Sequence, residues 1–251
     1  MSSPLRGPLH GRAALVTGGS RGIGAAIVRA LAAHGADVAL TYASSSDRAA
    51  AIVAEIEASG RRGLALAADN RDAVAVEDAV AKAADAFGRL DILVNNAGIF
   101  TAAPIDALTL ADFDETVAVN IRAVFAASRA AAARMGQGGR IVTIGSNLAD
   151  RVPGPGISLY ALSKSALVGF TKGLARDLGA RGITANIVHP GSTDTDMNPA
   201  SGPTADAQRG LMAIPDYGKP EDIAGLVTWL AGPASRFVTG AAFTIDGGAN
   251  A

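Results

Sequence analysis

Cysteine is absent from all 251 residues, which excludes disulfides, thiolate nucleophiles and cysteine-held metals. A reducing compartment fits that absence, and the chain is read as cytoplasmic. Charge of one sign is lacking too: 22 basic residues face 23 acidic ones, scattered rather than blocked. A formal net charge of -1 leaves no electrostatic footprint for nucleic acid or an anionic membrane. No apolar run approaches the roughly 18 residues of a membrane span. Residues 1–11 carry two prolines and no run of signal-peptide length. Histidine occurs three times, without metal-ligand spacing, so no metal is expected. His10 lies near the amino terminus, His34 ends a helix pattern, and His189 precedes a Pro-Gly turn. Aromatic residues make up only 4%, and the single Trp229 reads as core or interface.

What is present is a rotation of short apolar runs with longer amphipathic stretches, in a chain 49% hydrophobic. Strands are predicted at 13–17, 38–42, 63–67, 92–95, 140–144, 184–188 and 242–245. Most are continuous apolar runs, the pattern of strands covered on both faces. Helices are predicted at 22–34, 47–59, 73–87, 110–134, 159–179 and 221–230. Gly35, Gly60 and Gly88 lie just past three of them, and Pro220 opens the last. Strict alternation means an α/β fold with a parallel sheet, right-handed crossovers and helices on both faces. No linker or internal repeat divides it. Residues 1–10 read as a flexible tail, 11–251 as one domain, and 192–217 as an irregular excursion serving as substrate loop or lid.

The first strand runs into Thr17-Gly18-Gly19-Ser20-Arg21-Gly22-Ile23-Gly24, where a helix begins. Gly18 permits a tight turn, Gly22 lets a pyrophosphate approach the backbone, and Gly24 lets helix pack close on strand. Exposed amides at the helix start favour the anion. An NAD-preferring site places a carboxylate at the end of the second strand for the ribose 2′-hydroxyl. Here that position holds Tyr42-Ala43-Ser44-Ser45. Asp37 lies at the opposite end of the strand, at roughly 3.3 Å per residue well over about 10 Å away. Asp47 opens the next helix. Arg21 reads either as a partner for a 2′-phosphate or as a solvated loop residue, and NADP(H) is the expected cofactor.

Tyr160 and Lys164 stand four residues apart in an alanine-rich helical stretch, hence on one face. An ammonium about 4 Å from the phenol favours the phenolate by roughly 4 kcal/mol at an effective dielectric near 20. That would bring the phenol from near 10 to roughly 7, suiting proton exchange at neutral pH. Such pairs are also common on exposed helices. The rest of the chain changes their meaning.

In order, the motifs are Gly18…Gly22-Ile23-Gly24, Asp69, Asn95-Asn96-Ala97-Gly98, Asn120, Ser146, Tyr160/Lys164, Asn186-Ile187-Val188-His189-Pro190-Gly191 and Ile245-Asp246-Gly247-Gly248. Together they resemble the short-chain dehydrogenase/reductase family over about residues 10–251. The resemblance implies a single-domain Rossmann fold, a doubly wound seven-stranded sheet in the order 3-2-1-4-5-6-7. It implies Tyr160 as proton donor, with Lys164 lowering its pKa and bonding the nicotinamide ribose. Ser146 would orient the carbonyl and stabilise the alkoxide. Asn120 would hold a water linking Lys164 to solvent.

Cofactor contacts implied are Gly18, Ser20, Arg21, Gly22, Ile23, Gly24, Tyr42, Ala43, Ser44 and Ser45 on the phosphate and 2′ side. Asp69 and Asn70 would meet the adenine, and Asn96, Ala97 and Gly98 the adenosine ribose. Tyr160 and Lys164 would border the nicotinamide, with Pro190, Gly191, Thr193 and Thr195 beneath it and beside its phosphate. One departure stands out: Ser146 precedes Tyr160 by 14 positions, against about 12 or 13 in the family. A loop holding Pro153, Gly154, Pro155 and Gly156 absorbs the extra residue. Ser158 and Ser163 are weaker candidates.

The pattern is most similar to 3-oxoacyl-carrier-protein reductases and their broad-range ketone-reducing relatives. Expected is NADPH-dependent reduction of a ketone, 3-oxoacyl or otherwise, to a secondary alcohol. Oxidation of a sugar, polyol or steroid alcohol stays open, as does a non-catalytic cofactor-binding regulator. Leu148, Ile157, Met197, Leu211 and Met212 suggest an apolar, adaptable pocket, with no arginine evident for a substrate carboxylate. Arg129, Lys172 and Arg176 form either a face for an acyl carrier protein or an ordinary solvated surface. The resemblance also implies a homotetramer, with helices 110–134 and 159–179 paired across one interface and the last helix, last strand and C-terminal tail across another. No nucleic-acid or membrane partner is expected.

Overall fold

A computed structural model describes residues 7–251. β1 (Ala13–Val16) is buried along its whole length. So are β4 (Ile92–Asn95), β5 (Arg140–Ile144) and β6 (Thr184–Pro190). β2 (Asp37–Tyr42) is buried except at its ends, while β3 (Gly63–Ala67) and β7 (Ala242–Ile245) keep partial exposure as edges. All six pairings are parallel, and the order is β3-β2-β1-β4-β5-β6-β7, as predicted.

The unbroken apolar runs follow from helices on both faces. One layer contains α1 (Gly22–Ala33), α2 (Ser46–Ala58) and α8 (Pro220–Ala231), packed through Ile27, Leu31, Ile56 and Leu230 onto Val16, Leu40 and Val94. The other contains α3 (Ala73–Phe87), α5 (Ala123–Arg134) and α6 (Ser158–Gly179), which cover Leu15, Leu93 and Ile141. Alternate residues of each central strand thus enter opposite cores, each large side chain contributing roughly 1.5–3 kcal/mol by burial.

Caps set several helix limits. Asp72 accepts from Val74 and Ala75 N–H at 2.9 and 3.1 Å to open α3, and Gly88 ends it in the left-handed region at φ 75°. Thr109 and Asp112 form a reciprocal box at the start of α4 (Leu110–Val117).

Three expectations need correction. The helix predicted over 110–134 is divided into α4 and α5 by a π turn at Ala118–Arg122, closed by Ala123 N–H to Ala118 O. Apolar periodicity survives one inserted residue, which is why it did not reveal the turn. Residues 192–217 are not wholly irregular: they contain α7 (Ala205–Arg209), and Ala205, Met212 and Tyr217 bury one another. Of the tail predicted at 1–10, residues 1–6 lie outside the described residues, whereas 7–10 are packed. Leu9 is 1% exposed and its N–H donates to His34 O at 3.0 Å, sealing the end of α1. Among the described residues, no helix is long and apolar enough to cross a membrane.

Candidate active site

The carboxyl ends of the strands open into a cavity of about 830 Å³. At its floor lies the turn between β1 and α1. Gly18 and Gly22 adopt φ 63° and 52°, conformations other residues rarely reach. A Cβ on Gly24 would stand 2.4 Å from Gly18 O and 2.5 Å from Asn96 Nδ2, and one on Gly22 would meet the Thr195 methyl at 3.4 Å. No side chain caps the start of α1, so its first amides face the cavity. Backbone cradle and uncapped helix start together fit a pyrophosphate.

Two side chains that the sequence did not single out, Thr17 and Thr41, hold this turn together with Asn96. Thr41 Oγ1 accepts the Gly18 N–H at 3.0 Å, and Thr17 Oγ1 accepts from Asn96 and Ala97 N–H at 3.0 and 3.2 Å. Asn96 Nδ2 donates to Thr17 O and Gly18 O. The only available signal was polarity at the end of buried strands, where an unpaired group would be costly.

Every cofactor-contact residue expected from the sequence lines this cavity: Gly18 through Gly24 (Gly19 excepted), Tyr42 through Ser45, Asp69 and Asn70, Asn96 through Gly98, Pro190, Gly191, Thr193 and Thr195. Ser146, Tyr160 and Lys164 line it as well. Asp37 is engaged at the other end of β2 by Arg62, N–H at 2.9 Å and Nε at 2.7 Å, and so leaves the Tyr42 end without a carboxylate. Asp69 is bound to Arg71, which also grips Glu115.

Asn120 alone among the named catalytic residues lies behind the wall. Its Oδ1 accepts Ile99 N–H at 2.9 Å, and its Nδ2 donates to Ile99 O and Ser163 Oγ at 3.0 and 3.1 Å. The side chain is thus spent on clamping the β4 exit to α6. The π turn at Ala118–Arg122 turns the amide inward to make this clamp. Ser163, discounted as a catalytic serine, is the clamp's third member.

The Lys164 ammonium lies 5.7 Å from the Tyr160 ring centroid and donates to Ile144 O at 3.1 Å. Burial brings its pKa down to about 8. The expected drop of the phenol to roughly 7 is not found. Burial pushes Tyr160 above its ordinary value, and interaction with the Ser146 hydroxyl offsets this only in part. Spacing captured the neighbouring charge but not the desolvation, which opposes it. Phe100 packs edge-on against the Tyr160 ring at 4.9 Å.

His189, read from the sequence as incidental, sits fully buried beneath Ser146. Its Nδ1 accepts the Ser146 N–H at 3.1 Å, so Nε2 carries the proton. Glycine at 145 is required there, since a Cβ would stand 2.5 Å from Nδ1. Burial lowers the His189 pKa and Lys164 adds to this, against opposing pulls from Asp150 and the Ser146 bond. The ring is therefore neutral at pH 7, as an acceptor must be. Leucine at 189 is expected to lower kcat by about tenfold, because a buried N–H without an acceptor costs about 1–3 kcal/mol and releases Ser146. Asparagine, with an oxygen near the Nδ1 position, should restore most of it. Equal losses in both variants, measured as steady-state kcat, would show that ring volume alone matters.

Among the described residues no three His, Asp or Glu side chains converge as a metal site would need.

Comparison with known proteins agrees with this geometry. A family model described as Enoyl-(Acyl carrier protein) reductase matches residues 18–250. The chain is 65% identical to a short chain dehydrogenase from Burkholderia cenocepacia J2315 whose crystal structure is in complex with NADP. That match has a TM-score of 0.96 and covers 97% of this chain and 100% of that one. It is 50% identical to a cyclic-di-GMP-binding biofilm dispersal mediator protein of Escherichia coli (strain K12), over 96% of this chain and 98% of the relative. It is 40% identical to the 3-oxoacyl-[acyl-carrier-protein] reductase of Synechocystis sp., covering 96% and 97%. On motif order, sheet topology and these matches, the chain belongs to the short-chain dehydrogenase/reductase family of oxidoreductases.

Proposed function

We propose that this protein is a cytoplasmic NADPH-dependent ketone reductase that forms a secondary alcohol. The observation that carries this is the meeting of Ser146, Tyr160 and Lys164 in the same cavity as an open phosphate cradle. Bound NADPH would supply the hydride to the carbonyl carbon. Ser146, set by His189, donates a hydrogen bond to the carbonyl oxygen as charge develops there. Tyr160, protonated at neutral pH because it is buried, gives its proton to that oxygen. Lys164, cationic below its pKa of about 8, stabilises the phenolate left behind. Arg21, with Ser44 and Ser45, would hold the 2′-phosphate, and Tyr42 in place of a carboxylate removes the group that would repel it.

A panel of ketones followed by NADPH absorbance, with NADH alongside, tests the reading. Rapid oxidation of both cofactors alike would remove the NADP(H) assignment. Absence of NADPH oxidation with every ketone tested would restore a non-catalytic regulator, including one using the cyclic-di-GMP binding for which the Escherichia coli relative is named.

Self-association as a homotetramer belongs to the same reading. Phe125 on α5 is half exposed and tilts against Phe170 of α6 at 5.9 Å, an apolar patch on the predicted interface. Trp229 of α8 similarly leans on Phe243 of β7. Light scattering at micromolar concentration should give four times the mass of the 25.0 kDa chain, and a monomer would reject it.

A further inference from the structure

We propose that Arg151 binds a carboxylate on the substrate, making oxo acids the substrate class; this rests on the ketone-reducing reading above. Among the described residues, four cations line the cavity: Arg21, Arg71, Arg151 and Lys164. Arg21 stands at the phosphate turn, Lys164 is beside Tyr160, and Arg71 is neutralised by Asp69 and Glu115. Arg151 has no acidic partner among the described residues. It rises from the loop after β5, whose Leu148, Pro153 and Ile157 also line the cavity.

The exposed guanidinium is anchored at one nitrogen. Its Nη1 donates to Ala249 O at 2.6 Å, tying the loop to the C-terminal segment. That segment is itself fixed, since Asn250 Nδ2 donates to Asn147 O at 2.7 Å, and Ala249 and Asn250 line the cavity. Using Nη1 in this way leaves the edge formed by Nε and Nη2. In this protein that edge is the one that takes carboxylates side-on: Arg29 applies it to Glu55, and Arg89 applies it to Asp91. Such a planar fork matches two carboxylate oxygens. The carboxylate of the same C-terminal segment, Asp246, is engaged elsewhere. It accepts from Gly248 N–H, Asn250 N–H and the Asn147 amide. Leu148, Pro153 and Ile157 of the same loop line the cavity too, so an aliphatic spacer between ketone and acid is the expected form.

Methyl ketones ending in a carboxylate, at increasing chain length, compared with their methyl esters, test this by NADPH absorbance. At the spanning length the wild-type enzyme is expected to favour acid over ester in kcat/KM by about 10- to 100-fold, the range of a charge-assisted pair. The preference should reside in KM. R151Q should bring the ratio near one, and R151K, which keeps charge without the fork, should fall between. Equal rates for acid and ester at every length, or a preference that survives R151Q, overturn the proposal. Should R151Q fail to fold, the wild-type ratio and R151K decide. If other ketones are reduced while both series are inert, the subsite alone is rejected. If no ketone of any kind is reduced, the reductase reading falls and the subsite falls with it.

Discussion

Phenylalanine at position 160 is expected to lower ketone turnover by about 10²- to 10⁴-fold, the usual contribution of a positioned proton donor. Fold and cofactor affinity should survive. The ring would keep its edge-on packing against Phe100, so no cavity opens, and only the hydroxyl is lost. The pH profile of the wild-type enzyme carries the same argument. Reduction needs the phenol protonated, and burial raises its pKa, so the acid form persists through neutrality. Lys164 loses its charge on passing about 8. Turnover should therefore hold between pH 6 and about 8 and decline above, as support for the phenolate is withdrawn. Steady-state rates with NADPH fluorescence titration as a binding control provide the check. A Tyr160→Phe enzyme retaining a tenth or more of wild-type kcat would require another proton source.

Alanine at position 24 is expected to damage the protein through a single methyl group. Its Cβ would stand 2.4 Å from Gly18 O and 2.5 Å from Asn96 Nδ2. Neither neighbour can yield easily. Gly18 N–H is held by Thr41, and Asn96 Nδ2 is bonded to Thr17 O and Gly18 O. Overpacking of this kind costs about 1–3 kcal/mol, a fall in Tm of about 2–12 °C for a chain of this size. The larger effect is functional. Moving the turn by a few tenths of an ångström dislocates the amides that face the pyrophosphate, and NADPH affinity should fall more than about tenfold. Gly136, exposed and with nothing within 4 Å of its would-be Cβ, is the control. Alanine there should stay within about 0.5 kcal/mol of wild type. Calorimetry and fluorescence titration separate the two effects. Undiminished NADPH affinity in Gly24→Ala would show that the turn does not hold the phosphates.

Much of this was legible before any coordinates. Largely apolar runs at 92–95 and 140–144 coincide with β4 and β5, because strands covered on both faces bury nearly every position. Gly18, Gly22 and Gly24 could be assigned their roles because positive φ and close approach are demands only glycine meets. Tyr160 and Lys164 could be placed on one face from helical spacing alone.

What could not be read depends on residues distant in the chain. His189 looked incidental because its partner, Ser146, is 43 positions away and lies just past the neighbouring strand. The sign of the Tyr160 shift was missed because desolvation is a property of everything packed around a group, whereas spacing reports one neighbour. Arg151 escaped notice because only the return of Ala249 to the loop after β5 shows which of its edges is left for a ligand. Composition, periodicity and motif order by themselves marked the strands, the glycine turn and the candidate reacting groups, since those are set by local geometry and short-range sterics. Tertiary structure decided how each group is held and in which protonation state it waits, since burial and long-range hydrogen bonds exist only once the chain is closed.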